Sequence, residues 1–459
     1  MQIKEIYNIN YGKGLYTEEV QKAVDECSAN GGGIVRFEKG VYVLSTVFLK
    51  SNVTIEIPEG TEILGAESYY DYAQEEKINY PIYQDSSHTY FNPSMFVGLD
   101  CENVCITGGG KIDMRSVWDE DGVRGEAIKH RGAKCIALKN CKNVEVSNLE
   151  IYNVTDLAIY FAGCENVDIY GIKMRVYIDG ISPDNSKNVR IHDCDVETGD
   201  DGIVFKSSYT LNRLDICKDI HVWNCRVKSR CNAIKFGTET NGGFENILIE
   251  NIEIRETRIT GISIESVDGA IIDGVTIRNV KMTNVNAPIF VHIGKRMRGP
   301  AGRAVGKIKN VTLENITADG PYEEYEIMPW NYFSCKAGDT KQNPKVFGIA
   351  ESFDGTRETD EWQMTSNICG LKESPLENIV LRNVHLKLDG GVKEYKKDVP
   401  EEAQDYPEVF VYGRILPAKG IYFRHIKGLT LDSVTVETYR LDLRENFIFE
   451  NVDILQKNI

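Results

Sequence analysis

The feature that most constrains this chain is a short phrase that recurs along it: a turn, then Asn-Val or Asn-Ile, then alternating apolar and polar residues. The copies at Cys141, Cys164 and Ser186 follow one another at a period in the low twenties. A repeat this short cannot bury a core of its own, so neighbouring copies must stack on one another. Further copies begin at Cys101, Cys217, Phe244, Ile272, Ile308, Leu376 and Ile426.

The alternation of β-branched residues after each turn is typical of a short strand with one buried face. The Asn at a fixed corner suits left-handed backbone geometry and side-chain ladders between copies. We therefore predict an all-β fold, a single-stranded right-handed parallel β-helix that forms a single domain over residues 1–459. A β-sandwich, the alternative, would not explain the recurring Asn phrase.

Two segments depart from the repeat. Residues 16–27 have helical periodicity and run toward three consecutive glycines, which predicts a short capping helix within an N-terminal cap over about 1–35. Residues 320–375 make the longest interruption and carry several aromatic residues among polar ones. We predict a long loop insertion there.

Composition excludes several partner classes. The net charge of −16 argues against nucleic acid and anionic membranes as partners. The chain has no run of eighteen apolar residues and no apolar core of a signal peptide at its N-terminus, so we expect a cytoplasmic protein. Its twelve cysteines include no CxxC motif, and several recur at one place in the repeat. We expect them to be reduced structural thiols.

Three carboxylates stand out by their spacing. Asp179 precedes the pair Asp200 and Asp201 by about one copy of the repeat, and the pair adjoins the apolar strand that begins at Ile203. Adjacent Asp residues repel each other and form strands poorly, so a fold keeps them beside a strand mainly when they have a role. Glycoside hydrolysis requires carboxylates that divide the roles of acid and base. These three Asp residues are therefore the candidate catalytic residues.

Motifs along nearly the whole chain resemble glycoside hydrolase family 28, the polygalacturonases and their relatives, in a bacterial branch. The matching motifs begin at Ala23, Leu49, Ile106, Asp179 and Leu416. The resemblance implies the pectin lyase-like form of the β-helix and an inverting hydrolase. It also implies that Asp200 is the general acid and that Asp179 and Asp201 activate water.

The chain departs from the family pattern at three places. Tyr177-Ile replaces the family's Asn-Thr before the first Asp, and the region of its His-Gly motif, residues 229–237, contains no His. The family's Arg-Ile-Lys motif, which grips a uronate carboxylate, falls on Ser263-Ile-Glu265. Because Glu265 would repel a uronate, we expect a neutral sugar at this subsite, or a uronate gripped from elsewhere.

Polar residues that end strands, or that replace the lost motifs, are the candidates for sugar binding. Lys206 and Lys235 end apolar strands one copy apart, where pairing with the Asp cluster is a compatible alternative. Ser263 and Glu265 share the outward face of their strand, as they would in any solvated strand. The aromatic rings of Trp118, Trp330 and Trp362 are candidates either for sugar stacking or for loop packing. The candidate binding set is Lys206, Arg230, Asn232, Lys235, Glu265, His292 and Arg296.

We expect an inverting glycosidase that acts on the ends of pectin-derived or related oligosaccharides, with no cofactor and no metal. A polysaccharide lyase of the same architecture would need a Ca²⁺ site or a cationic base beside acidic ligands, and loss of the cationic motif argues against it. A non-catalytic carbohydrate-binding β-helix would not need three clustered acids.

Overall fold

A computed structural model describes residues 5–9, 15–117, 131–321, 363–395, 397–401 and 407–459. These residues group into two compact units, Met1–Thr198 with Phe205–Cys225, and Gly199–Val204 with Arg226–Ile459. Each unit is built from short strands that pair in parallel with strands further along the chain. This is the right-handed parallel β-helix that the repeat predicts. The single domain over 1–459 stays a prediction.

The chain forms one α-helix and 29 strands among the described residues. The helix is α1 (Thr17–Ala29), and two single 3₁₀ turns lie at Tyr69–Asp71 and Ser86–His88. The first strands are β1 (Glu5–Ile9), β2 (Gly33–Phe37), β3 (Val41–Leu44), β4 (Val47–Phe48), β5 (Val53–Glu56), β6 (Glu62–Gly65), β7 (Ser94–Leu99), β8 (Glu102–Thr107), β9 (Lys111–Asp113), β10 (Lys134–Lys139), β11 (Lys142–Ser147), β12 (Glu150–Tyr152), β13 (Ile159–Ala162), β14 (Glu165–Tyr170), β15 (Lys173–Val176), β16 (Ile181–Asp184), β17 (Lys187–His192) and β18 (Asp195–Thr198). The later strands are β19 (Ile203–Ser207), β20 (Ile216–Trp223), β21 (Arg226–Ser229), β22 (Asn232–Thr240), β23 (Gly243–Ser266), β24 (Ile271–Ile293), β25 (Lys307–Asp319), β26 (Ser366–Cys369), β27 (Leu376–Gly390), β28 (Ala418–Arg440) and β29 (Glu445–Asn458).

The recurring phrase forms the strands that stack through the first unit. Strands β5, β8, β11, β14, β17 and β20 pair in parallel and in register, so that one apolar residue of each lies above the next. These six apolar residues, one from each strand, are all buried, which is why every second residue of the phrase is apolar. The column is Ile55, Ile106, Val146, Ile169, Ile191 and Val222.

The second unit repeats this construction with longer strands. Strands β23, β24, β25, β27 and β28 pair in parallel, and their buried apolar residues again form one column. Each such side chain contributes about 1.5–3 kcal/mol by leaving water, so the column stabilises the stacking itself. The column is Ile249, Ile277, Leu313, Leu381 and Leu431.

The corner Asn of the phrase forms the predicted ladder. Asn143, Asn166 and Asn188 have φ values of 53°, 58° and 51°, in the left-handed region that Asn tolerates better than most residues. The amide of Asn166 donates to Oδ1 of Asn143 at 2.9 Å, and that of Asn188 donates to Oδ1 of Asn166 at 2.6 Å. The ladder thus provides hydrogen bonds between neighbouring copies at this exposed corner.

Helix α1 caps the first strands, as predicted. Val20, Val24 and Cys27 lie on one face of the helix and are fully buried. The side chain of Gln21 forms two hydrogen bonds with the backbone of Phe48 in β4. Nε2 of Gln21 donates to the carbonyl oxygen of Phe48 at 3.0 Å, and Oε1 of Gln21 accepts from the N–H of Phe48 at 2.7 Å. The helix thus covers the strand edges that would otherwise stay open.

Eleven of the twelve cysteines are described, and all eleven are free thiols, in line with their predicted structural role. No helix in the described ranges is long and apolar enough to cross a membrane. Most of the predicted loop insertion, including Trp330 and Trp362, lies outside the described residues, and so does Trp118. Strand β26 lies within the predicted 320–375 loop, and its four residues are buried. A strand therefore occupies part of the region predicted as loop, and the outer bounds of that loop stay a prediction.

Candidate active site

The three candidate catalytic Asp residues all lie in turns between strands. Asp179 is a buried residue of the first unit, between β15 and β16, and its backbone oxygen accepts a hydrogen bond from the N–H of Ala158 at 2.9 Å. Asp200 and Asp201 belong to the second unit and lie between β18 and β19. Asp201 is buried and Asp200 half-buried. The joint action of Asp179 with the pair stays a prediction.

Two residues of β22 hold the side chain of Asp201. Asn232 donates twice to Oδ1, from its backbone N–H at 3.2 Å and from Nδ2 at 2.8 Å. The ammonium nitrogen of Lys235 lies 3.5 Å from Oδ2. Both partners are buried, so these interactions are little weakened by water. Donors of this kind favour the ionised carboxylate and fix its direction.

The turn beside Asp200 is fixed through the end of β21. The hydroxyl of Ser229 donates to the backbone oxygen of Asp200 at 2.5 Å and accepts from the N–H of Cys231 at 2.8 Å. Arg230 lies between these two residues and is half-buried. The Ser–Arg–Cys turn that replaces the family's His-Gly region therefore positions the backbone of the Asp pair.

Lys235 is surrounded by three carboxylates. Its ammonium lies 2.5 Å from Oε1 of Glu408, 3.5 Å from Asp201 and 3.8 Å from Oε1 of Glu265. The alternative interpretation of Lys235, pairing with the Asp cluster, is confirmed for Asp201. Its proposed contact with a sugar stays a prediction.

Glu265 lies on a covered surface and not on a solvated face. Both Ser263 and Glu265 are fully buried, and the hydroxyl of Ser263 donates to Oε1 of Glu265 at 2.6 Å. Oε2 of Glu265 has no hydrogen-bond partner among the described residues. The expectation of an ordinary solvated strand is wrong here, because residues from much later in the chain pack over this face.

Two buried acids of this site, Glu265 and Glu408, have raised pKa values. Burial is the main reason why the pKa of Glu265 is raised, and it outweighs the opposing effect of the Lys235 ammonium. Burial likewise raises the pKa of Glu408, again against Lys235. Two acids that resist ionisation thus lie beside one cation, an arrangement typical of functional sites.

His292 follows Glu265 in the ladder of paired strands and belongs to the same covered surface. Its Nδ1 lies 3.3 Å from the hydroxyl of Tyr412, and its ring stacks on Phe290 with centroids 5.3 Å apart. Burial lowers the pKa of His292 to about 3, so the ring is neutral at ordinary pH. A neutral imidazole can position a hydroxyl but supplies no charge.

The remaining candidates are held elsewhere. The guanidinium of Arg296 forms a two-pronged ion pair with Asp268 and donates to the hydroxyl of Thr238 at 2.9 Å. Lys206 is a buried residue of the first unit, in β19. Asn232 and Lys235 thus contact Asp201, and Lys235 also contacts Glu265. His292 lies beside Glu265 in the strand ladder, whereas Arg296 is engaged with Asp268.

Sequence reasoning missed Glu408 and Tyr412. Both belong to residues 407–417, the covering segment, whose apolar side chains pack on the outer face of the later strands. Val409, Val411 and Leu416 share that cluster with Phe290. The only signal in the sequence is a short apolar run after Pro407, and nothing there identifies the strands on which it packs.

Comparison with known proteins identifies the family. Residues 49–350 match Glycosyl hydrolases family 28, a range that includes the three candidate catalytic Asp residues and the seven residues of the candidate binding set but not Glu408. A probable polygalacturonase of Vitis vinifera is 21% identical over 402 residues, covering 83% of this chain and 73% of that protein. An exo-poly-alpha-D-galacturonosidase of Dickeya chrysanthemi is 23% identical over 289 residues, covering 52% of this chain and 48% of that protein.

A solved structure shows the same fold. The exopolygalacturonase of Thermotoga maritima superposes with a TM-score of 0.67 at 18% identity, over 95% of this chain and 93% of that one. The family match extends over well more than half of the chain and contains the Asp pair with the residues that hold it. This protein therefore belongs to family 28 of the glycosyl hydrolases and is a glycosidase.

Proposed function

We propose that this glycosidase removes sugar residues from the ends of pectin-derived oligosaccharides and inverts the anomeric configuration. The observation that carries the proposal is the anchored carboxylate of Asp201 beside Asp200, held by Asn232 and Lys235 in a buried setting. The relatives from Vitis and Dickeya carry names for galacturonan cleavage, and the Dickeya name specifies the exo mode. They support the polymer class and end-wise action.

The anchoring of Asp201 assigns the roles in this proposal. A carboxylate that accepts two hydrogen bonds and faces an ammonium is favoured as the anion, which suits a base that activates water. Asp200, the more exposed neighbour, then acts as the general acid toward the leaving sugar. The role of Asp179 as a second group that activates water stays an implication of the family resemblance.

The sugar bound next to Glu265 is uncharged in this proposal. Ser263 and Glu265 replace two cations of the family motif, and Lys235 is already engaged by acids. A uronate carboxylate brought to this surface would have to compete with these acids for Lys235 and would lose its own hydration. A pectin-derived oligosaccharide that ends in a neutral sugar fits these groups best.

Product stereochemistry tests the mechanism. The enzyme is incubated with neutral and acidic p-nitrophenyl sugars and with pectic oligosaccharides, and the first anomer released is identified by NMR. We expect inversion, because an inverting site admits a water between acid and base. A retained anomer, or a trapped covalent glycosyl-enzyme, would contradict the proposed mechanism.

The free thiols support a location in a reducing compartment. All eleven described cysteines are unbridged, and most are buried. Disulfides are rare in the cytosol, where thiols are kept reduced. We propose the cytoplasm, where the substrate would be a short oligosaccharide that has already been taken up. Fractionation of the native cells with an antibody to the protein tests this location.

A further inference from the structure

The carboxylate of Glu408 is bound as a substrate carboxylate would be. Its Oε1 accepts from the Lys235 ammonium at 2.5 Å and from Nδ2 of Asn232 at 3.2 Å. An ammonium together with an amide donor is a common way to hold a carboxylate. Glu408 is also buried, as are both donors.

Glu408 comes from a different part of the chain than the strands that carry the site. Lys235 and Asn232 lie on β22, whereas Glu408 arrives on the covering segment, outside the residues that match the family. Apolar neighbours anchor that segment: Val409, Val411 and Tyr412 pack on the outer face of the later strands. The position of the carboxylate is therefore fixed by packing and not only by its ion pair.

We propose that Glu408 determines substrate specificity: its carboxylate occupies the place at Lys235 and Asn232 that a uronate carboxylate would need, so that this subsite accepts an uncharged sugar. The inference rests on the proposed function and adds the residue that sets the substrate class. It also explains why the presence of Lys235 does not make this surface a uronate site.

The balance of charge around Lys235 supports the proposal. Three carboxyl groups, those of Asp201, Glu265 and Glu408, lie within 4 Å of a single ammonium. Burial raises the pKa of both Glu residues, and the same loss of hydration would disfavour a further buried carboxylate. His292 adds no positive charge, because burial keeps it neutral. An incoming carboxylate would therefore have to displace an acid that already contacts Lys235.

The Glu408→Gln variant isolates the charge. An amide oxygen can take the place of Oε1 and accept from Lys235 and Asn232, while the new NH₂ lies at Oε2, which has no partner among the described residues. Galacturonate and galactose differ only in having a carboxylate or a CH₂OH group, so they form a matched pair of probes. Their dissociation constants are measured by ligand-observed NMR, without any need for turnover.

In the wild type we expect galactose to bind at least as tightly as galacturonate. In folded Glu408→Gln we expect the ratio of the galacturonate to the galactose dissociation constant to fall by at least about fivefold, since the group nearest to Lys235 can then no longer carry a negative charge. The exposed Glu377→Gln variant, which makes the same change in net charge, should leave the ratio unaltered. An unchanged ratio in Glu408→Gln would overturn the proposal.

A second measurement uses a small carboxylate in place of the side chain. In Glu408→Ala, acetate should bind at Lys235 and raise the melting temperature relative to chloride at equal ionic strength, whereas wild type and Glu408→Gln should show no such difference. A folded Glu408→Ala protein indifferent to acetate would contradict the proposal, and if Glu408→Ala does not fold, the Glu408→Gln ratio decides. Failure to hydrolyse any pectic oligosaccharide would instead count against the proposed function, because neither binding measurement depends on turnover.

Discussion

At the scale of single residues, the site is organised around the Lys235 ammonium. It lies within reach of Asp201, Glu265 and Glu408, and its removal would leave buried carboxylates without a counter-charge. Asn232 connects two of these acids, because its Nδ2 lies within hydrogen-bond distance of both Asp201 and Glu408. A change at one acid is therefore expected to alter the others.

The first residue-scale prediction concerns Asp200. Replacement by Asn keeps the size and the backbone contact to Ser229 but removes the proton that the acid would donate, so turnover should fall by roughly 10²–10⁴. Initial rates on the best substrate of the panel measure the effect, and circular dichroism checks the fold. Asp453→Asn, an exposed change on β29, is the control. A near-wild-type rate in folded Asp200→Asn would remove Asp200 from the mechanism.

The second prediction concerns pH and Glu265. Because the folded-state pKa of Glu265 lies above its usual value of 4.5, the folded protein retains a proton that the unfolded chain releases. Its contribution to stability is thus present at low pH and is lost as pH rises above about 4.5, with a slope of up to about 1.4 kcal/mol per pH unit. Glu265→Gln should escape this loss.

Urea unfolding at about pH 5 and about pH 8 measures the effect. We expect the free energy of unfolding of Glu265→Gln, relative to wild type, to be larger at the higher pH. The exposed Glu377→Gln variant should show no such trend. A difference between Glu265→Gln and wild type that does not depend on pH would show that Glu265 is ionised in the folded protein.

At the scale of elements, the strands and their corners were predictable and the covering segment was not. The Asn phrase recurs often enough to identify β8, β11, β14 and β17, and α1 has its own periodicity. Asp201, Asn232 and Lys235 follow from motifs that lie one copy apart. Glu408 lies 173 residues from Lys235 and in no repeat, so only tertiary packing reveals their contact.

The corner ladder provides the element-scale prediction. Asn166→Ala loses hydrogen bonds to Asn143 and Asn188 and forces Ala into left-handed geometry, which costs roughly 1–2 kcal/mol by itself. Asn166→Gly loses the same hydrogen bonds without that conformational cost. We expect the Ala variant to be the less stable in urea unfolding. Equal stability of the two variants would show that the backbone conformation at this corner is not what selects Asn.

At the scale of the whole molecule, the parallel stack explains both the length of the chain and its tolerance of insertions. Within each unit the described strands pair mainly with the adjacent copies in the stack, so stability is approximately a sum over copies. The fold class followed from the repeat for this reason. Residues 407–417 lie outside the repeat and carry no periodic pattern, and their position depends on the apolar surface that they meet.

The whole-molecule prediction concerns polymer substrates. If the enzyme acts on chain ends and accepts a neutral sugar, polygalacturonate should be a poor substrate, and the viscosity of its solution should fall slowly relative to the reducing ends released. Viscometry combined with a reducing-sugar assay measures both quantities, and a commercial endo-acting pectinase serves as the control. A rapid fall in viscosity would contradict both the end-acting and the neutral-sugar parts of the proposal.

The covering segment has a consequence for how such an enzyme can diversify. The stacked copies of the repeat carry the acids of the reaction. The covering segment, which is anchored by a few apolar side chains, carries Glu408, the residue that we assign to substrate choice. Reactivity and selectivity are therefore encoded in separate parts of the gene. Exchanging residues 407–417 between relatives should transfer preference for one sugar or another while the stack, with its ladder and its core, stays as it is.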